Sequence, residues 1–571
     1  MENRNTIESV VKYTVSAMKD FYKADHKSQY PENTTKVYSN FTPRSTKYFK
    51  DSTDNKIVVF GIQAMLIDFL IEDWNSFFIS PKQNSIAKYK HLMDSTLGKD
   101  VIQTKHLEEL YDLGYLPLHI KAIEEGKRVQ SKIPVLTITN TNDKFYWLVN
   151  YLETVISTEL WKPMTMATVA FEFRKLFESY AKETSTIEWF VPFQGHDFSM
   201  RGLANRFEAF KNSIAHLTCF VGTDTIPAID GAEYFYPNDD DSLIGTSVFA
   251  SEHSTITMQI HDVLRKNNLT DTLENRRLAE EEVLKYMLTK VYPQGIYSHV
   301  SDSYDYWYLL SNTLPKLKNI IENREDISET QISRLVIRPD SGDPEKVICG
   351  YNILDADDDN MEVNTTDSLL KKLQKQFQKQ NYYDAFKLNG KIYDIKSLRI
   401  LSKEEAMGSL RTLYSIFGGK KNDKGYIDLN SKIGLIYGDS ITLERAKKIL
   451  ERMKYLGFSS TNVVFGIGSY SYQYMTRDTL GFAMKATYGE VNGKGINIFK
   501  EPKTDSGTKK SAKGLLYVDY KDNEYVLYDQ VSPEKESDNS NQLKTVFLNG
   551  ELIKKISLNE IRENIKKELE K

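Results

Sequence analysis

The sequence predicts an α/β protein, an incomplete (β/α) barrel joined to a flanking, β-rich α+β domain. Two observations point to the barrel. Seven short β-branched or aromatic runs each end in a turn rich in Gly, Ser and acid: EWFVPFQGHD, HLTCFVGTD, SVFASEHS, GIYSHVSDSYD, RLVIRPDSG, KIGLIYGDS and NVVFGIGS. Helical patterns lie between several of them, most clearly at 304–325 and 442–457. Near-continuous apolar strands alternating with helices are what a parallel sheet covered by helices requires. The third observation concerns the ends. Residues 1–185 and 486–571 mix α and β patterns, with alternating strands such as GLLYVDY and EYVLYDQV, and so read as two parts of one flanking domain around a barrel at 186–485.

In chain order, the run IVVFGIQAMLIDFLI at 57–71 comes first. It is shorter than the ~20 apolar residues a membrane span needs and carries Asp68, so it reads as a core strand and helix. The seven barrel units start near 187. Between the fifth and sixth, a polar stretch at about 351–425 opens with DADDDN and continues through SLLKKLQKQFQKQNYYDAF. It reads as a solvated insertion between consecutive strands.

Composition excludes several classes. The 571 residues are 40% hydrophobic, enough for a large core, and the net charge of −4 comes without a long basic block, so no nucleic-acid partner is expected. MENRNTIESV lacks the apolar core of a secretory leader, and the expectation is a cytoplasmic protein with no membrane partner. Two cysteines outside any CxxC give neither a disulfide framework nor a thiolate zinc site. GxxxxGK[ST], strand-borne GxGxxG and HExxH are absent from the sequence.

Barrel chemistry sits at the carboxyl ends of the strands. That rule gathers Asp197, Asp224, Glu252, Asp302, Asp340 and Asp439 at one mouth. The stretch LVIRPDSGDP at 335–344 is the most pointed case, because an apolar strand stops on Arg338, Asp340 and Ser341 around a Pro and a Gly.

Ten motifs then carry a resemblance: KDFYKADHKSQYPENTTKVYSNF, GHDFSMRG, VGTDT, ASEHSTIT, SDSYD, VIRPDSGDP, GDS, TRD, GINIFKEP and KKSAKG. In this order they resemble the nicotinamide phosphoribosyltransferase family, from about residue 19 to the C-terminus apart from the insertion. The resemblance implies the type II phosphoribosyltransferase fold and a homodimer with active sites at the subunit interface. It also implies transfer of the 5-phosphoribosyl group from 5-phosphoribosyl 1-pyrophosphate to nicotinamide. The residue types suit that reaction. Departure of pyrophosphate leaves an oxocarbenium-like centre, so cations must hold phosphates while carboxylates face the transient positive charge.

By resemblance, Phe198 and Tyr22 sandwich the nicotinamide ring, Asp224 reads the carboxamide and Arg201 flanks the pocket. Arg338, Asp340, Gly438 and Asp439 fall around the ribose and ring. Gly468 and Ser469 offer backbone N–H groups to the 5-phosphate. The family has glycine where Ser469 stands, so this loop departs from the pattern. Arg477, Lys485, Lys500 and Lys509, with Arg44, match the basic residues around the phosphates. His253 matches the histidine that ATP phosphorylates, ATP being a co-substrate. Mg²⁺ is expected on the pyrophosphate oxygens, with Asp302 near its water shell and no dedicated protein ligands.

Three rivals remain open. A nicotinate or quinolinate phosphoribosyltransferase would bring a carboxylate to the place where Asp224 stands. A barrel glycosidase using Glu252 leaves the cations unexplained. A non-catalytic binding protein on this scaffold would be expected to lack His253, Asp340 or Arg338.

Overall fold

A computed structural model describes residues 13–50, 52–329, 331–356, 367–378, 383–500 and 512–571. Lys509 and most of the DADDDN run lie outside the described residues.

All seven sequence units form parallel strands. In chain order they are Gly195–Asp197, Gly222–Thr223, Phe249–Ala250, Ile296–Val300, Arg334–Arg338, Ile433–Tyr437 and Val463–Ile467. Each neighbour pair is parallel, and the last strand returns to pair with the first through Phe465–Gly195, Gly466–His196 and Ile467–Asp197. The circle is incomplete at one place. Between the second and third strands the link is a single parallel bridge, Gly222 to Thr246. Strands buried on both faces keep apolar residues at every position, and all five residues of Ile433–Tyr437 are buried.

The flanking sheet has seven strands, antiparallel throughout, and draws on both ends of the chain. Its order runs Lys494–Asn497, Ala483–Val491, Thr34–Thr42, Leu136–Asn140, Leu118–Ala122, Lys544–Leu548, Glu551–Leu552. Lys485, grouped with the barrel by its sequence position, sits on this sheet opposite Asn40. The 38-residue helix Trp147–Thr184 packs on both the sheet and the barrel. Its internal Pro163 lies against Gly61, where a Cβ would come within 2.7 Å of the proline ring and φ is +88°, so only glycine fits.

The insertion differs from the expectation of a solvated detour. Ile353–Asp355, Ala385–Leu388, Lys391–Asp394 and Ile400–Leu401 form a four-stranded sheet. The helix Asp367–Phe377 packs with it around Phe377, Phe386, Leu388, Tyr393 and Ile395. Leu369, Leu370, Leu373 and Phe377 make a narrow apolar stripe on an otherwise charged helix, and this stripe is what the polar composition concealed. The following helix, Lys403–Phe417, puts Leu410, Leu413 and Phe417 into the main core and so coats the barrel. Among the described residues no helix is long and apolar enough to cross a membrane.

Candidate active site

The barrel strands run in one direction, so their C-terminal ends share one rim. The first strand delivers His196, Asp197 and Phe198. Asp197 is fully buried, and its Oδ1 accepts the Ser199 backbone N–H at 2.8 Å. It therefore builds the turn beneath Phe198 and is not open at the mouth as expected. The Phe198 ring lies across the ends of two strands. A Cβ at Gly466 would fall within 2.5 Å of the ring and one at Gly438 within 3.5 Å. Gly438 was expected at the site; Gly466 was missed, although FGIG at a strand end was a visible signal.

Asp224 stands beside this ring. Its Oδ1 accepts a bond from His196 Nε2 at 2.8 Å and another from the Ser247 hydroxyl. The His196 and Phe198 ring centroids are 4.7 Å apart. Partial burial works against ionisation of Asp224. The hydrogen bond and charge of His196, the Ser247 bond and the charge of Arg338 outweigh it and hold the carboxyl below its ordinary range. His196 and Ser247 were not singled out from sequence, because nothing local marks them as partners of a residue 28 and 23 positions away.

A second His–Asp pair occupies the opposite side of the strand order. His253 opens the helix His253–Lys266, and its Nε2 bonds Asp302 Oδ1 at 3.0 Å. Asp302 Oδ2 accepts the Asp340 backbone N–H at 3.0 Å and the Ser341 hydroxyl at 2.6 Å. Burial opposes ionisation of Asp302, but the Ser341, Asp340 and His253 hydrogen bonds prevail and lower its pKa. Because an ionised carboxylate only accepts, His253 donates from Nε2, and Nδ1 is the ring nitrogen left outside this bond. That nitrogen sits at a helix N-terminus, where the backbone favours an added anion.

Arg338 reaches back from its strand end and donates to the Ser251 carbonyl oxygen. Beneath it, His299 is pushed down to about 3 by burial and by the Arg338 charge, so it is neutral. Asp340 and Asp439 are exposed at the rim. Gly468 caps the short turn Ser469–Tyr472. Ser469 presses on Gly202, where a Cβ would come within 2.4 Å of its Oγ, and this joins the Arg201 turn to the candidate phosphate loop.

The other candidates lie on the flanking region. Arg44 donates from Nε to the Gly481 carbonyl at 2.8 Å, which ties it to the turn after Arg477. Arg477 is exposed beside Asp478 and Lys500 is exposed beyond the edge strand. Tyr22 is 63% exposed, and among the described residues its ring partner is His26, not Phe198. A single chain thus brings Phe198, Asp224, Arg201, His253, Asp302, Arg338, Asp340, Gly438, Asp439, Gly468 and Ser469 to one mouth, while Tyr22, Arg44, Arg477, Lys485 and Lys500 lie on the flanking region. Among the described residues no group of three or more His, Cys, Asp or Glu side chains is placed to hold a metal ion.

Comparison with known proteins adds to this geometry. Residues 193–551 match the model of the nicotinate phosphoribosyltransferase family, and residues 14–120 match a model described as the N-terminal domain of nicotinamide phosphoribosyltransferase. The chain is 44% identical to a nicotinamide phosphoribosyltransferase of Acinetobacter baylyi, over 96% of this chain and 97% of that one. A protein of the same name from Mycoplasma pneumoniae is 30% identical over 87% of this chain and 93% of its own length. One from Xanthomonas campestris is 28% identical over 95% and 96%. A barrel built from seven parallel strands, a mouth set with paired histidines and carboxylates, and these matches along nearly its whole length agree: the chain belongs to the nicotinate phosphoribosyltransferase family.

Proposed function

We propose that this chain transfers the 5-phosphoribosyl group from 5-phosphoribosyl 1-pyrophosphate to nicotinamide, giving nicotinamide mononucleotide and pyrophosphate for NAD salvage. Asp224 carries the reading. An ionised acceptor beside the Phe198 ring suits a ligand that presents an amide N–H at the edge of a flat ring, and it repels a carboxylate in the same place. The C1–O bond to pyrophosphate breaks with its electron pair leaving on oxygen, and the pyridine nitrogen lone pair forms the C1–N bond. Asp340 and Asp439 face the positive charge that develops at C1, and the backbone at Gly468 and Ser469 with Arg201 receives the 5-phosphate.

His253 is the proposed acceptor of a phosphoryl group from ATP. The Nδ1 lone pair attacks the γ-phosphorus, the bond to the ADP oxygen breaks, and Asp302 compensates the charge left on the ring. Water later cleaves the P–N bond to release phosphate. Asp302, Asp340 and Asp439 are oxygen donors of the kind Mg²⁺ accepts, so an ion carried by pyrophosphate would meet Asp302 at its water shell and would neutralise charge on the leaving group. In the proposed homodimer, Tyr22, Arg477, Lys485, Lys500 and Lys509 complete the partner's mouth, a reading supported by the exposure of Tyr22, Arg477 and Lys500 on the flanking region.

The deciding experiment compares the two bases in separate assays of the purified chain. Nicotinamide is expected to give product with kcat/KM at least a hundredfold above nicotinate. Equal or preferred use of nicotinate would overturn the reading.

A further inference from the structure

The Asp302 carboxylate is shared between two places. One oxygen holds His253, and the other holds the Asp340 backbone N–H and the Ser341 hydroxyl. Its side chain is only 6% exposed, so little water competes for these bonds. The same strand end carries Arg338 and Asp340, and it is stitched to the Asp302 loop by the Ser301 N–H on the Arg338 carbonyl at 3.0 Å. Charge that appears on the His253 ring therefore pulls on a carboxylate that also positions the rim.

This strand end is flanked by space, and Asp302 lines the same space. A cleft of about 260 Å³ separates Ser341 and Gly342 from Tyr351, Arg399 and Glu405 at the edge of the insertion. Gly342 has φ +96°, and its carbonyl accepts from the Tyr437 hydroxyl at 3.0 Å. With a cleft beside it, the exposed tip at Ser341 and Gly342 relies on these hydrogen bonds. Two of those bonds end on Asp302, and Ser341 supplies the one that a side-chain change can remove.

We propose that Ser341 is a positioning residue that couples the state of His253 to the ribose-facing strand end through Asp302. The proposal rests on the phosphohistidine reading above. A hydroxyl bonded to a buried carboxylate is a charge-assisted contact, and its loss at a coupled site corresponds to roughly a tenfold effect.

The test uses the full chain and measures ATP hydrolysed per mononucleotide formed, with transfer rates in the presence and absence of ATP. Ser341→Ala is expected to lose about tenfold more of the ATP-stimulated rate than of the unstimulated rate, and to consume more ATP per product. Ser341→Thr keeps the hydroxyl and is expected to restore the ratio. If the alanine variant does not fold, Ser341→Cys, a weaker donor of similar size, is expected to fall between wild type and full uncoupling. Wild-type coupling in Ser341→Ala or Ser341→Cys, while His253→Ala abolishes stimulation, would overturn the proposal alone. Absence of ATP stimulation in the wild type, with His253→Ala indistinguishable from it, would overturn the phosphohistidine reading and this proposal together.

Discussion

The two His–Asp pairs at the barrel mouth are inverted copies of one another in exposure. In the His196–Asp224 pair the histidine is 10% exposed and the carboxylate 41%. In the His253–Asp302 pair the histidine is 44% exposed and the carboxylate 6%. The hydrogen bonds are nearly equal, at 2.8 and 3.0 Å. The same chemical pair therefore exposes a carboxylate on one side of the mouth and an imidazole on the other. What decides the role is which member is buried, because the buried partner orients the exposed one.

The largest effect is expected at the exposed imidazole. His253→Ala removes the proposed phosphoryl acceptor but none of the ring or ribose contacts. ATP hydrolysis should fall by roughly a thousandfold or more, to background, while slow ATP-independent transfer persists. Undiminished ATPase would break the assignment of roles.

Exchanging the exposed anion comes next. Asp224→Asn keeps shape and removes charge, and a unit charge in a partly buried site shifts selectivity by ~2–3 kcal/mol, about a hundredfold, towards nicotinate. The measurement is the ratio of kcat/KM for the two bases. His196→Gln should move the same ratio less, about tenfold, since it weakens the support and leaves the charge. If neither variant moves the ratio, Asp224 is not the selector.

Much of this mouth was legible in the sequence, for a physical reason. Strands buried on both faces are written as continuous apolar runs, and the residue where such a run stops must meet water or ligand; hence Asp224, Asp302 and Arg338 stood out. Supports were not legible. His196, Ser247 and Gly466 act only after strands far apart in sequence become neighbours, and Asp197 shows that an acid at a strand end can turn inward. The insertion misled for a different reason. Its small core needs only a few apolar residues, so average polarity hid both the four-stranded sheet and the helix Lys403–Phe417 that belongs to the barrel coat.

The contrast also extends to the flanking sheet. The mouth is dense with bonds within one chain, while Arg477 and Lys500 are exposed. If the partner's mouth is where they act, two dead variants should rescue each other. Co-expression of Phe198→Ala/Asp340→Ala with Arg477→Ala/Lys485→Ala gives about half mixed dimers, each with one intact site, hence about a quarter of wild-type activity. Mixed dimers as inactive as either parent would place each site within one chain.

The smallest expected effect separates the two carboxylates by what lies behind them. Asp224 opens towards solvent, whereas a second carboxyl, Glu280, stands behind Asp302. Glu280 is buried on the helix Leu273–Tyr286, and its Oε1 meets no hydrogen-bond partner among the described residues. Burial, then the charges of Asp305 and Asp302, push its pKa from the ordinary 4.5 up to about 8. The unfolded chain releases this proton near pH 4.5, while the folded chain holds it to about pH 8. Between those values the unfolded state binds fewer protons, so this group's contribution to stability is complete below pH 4.5 and is lost as pH rises through the window. Glu280→Gln keeps the shape and has no proton to lose. Its melting temperature relative to wild type should therefore climb by a few degrees from pH 5 to pH 8 and then level off. Parallel melting curves across that range would mean that Glu280 is ionised in the folded chain, and the Asp302 pair would then be no drier than its counterpart.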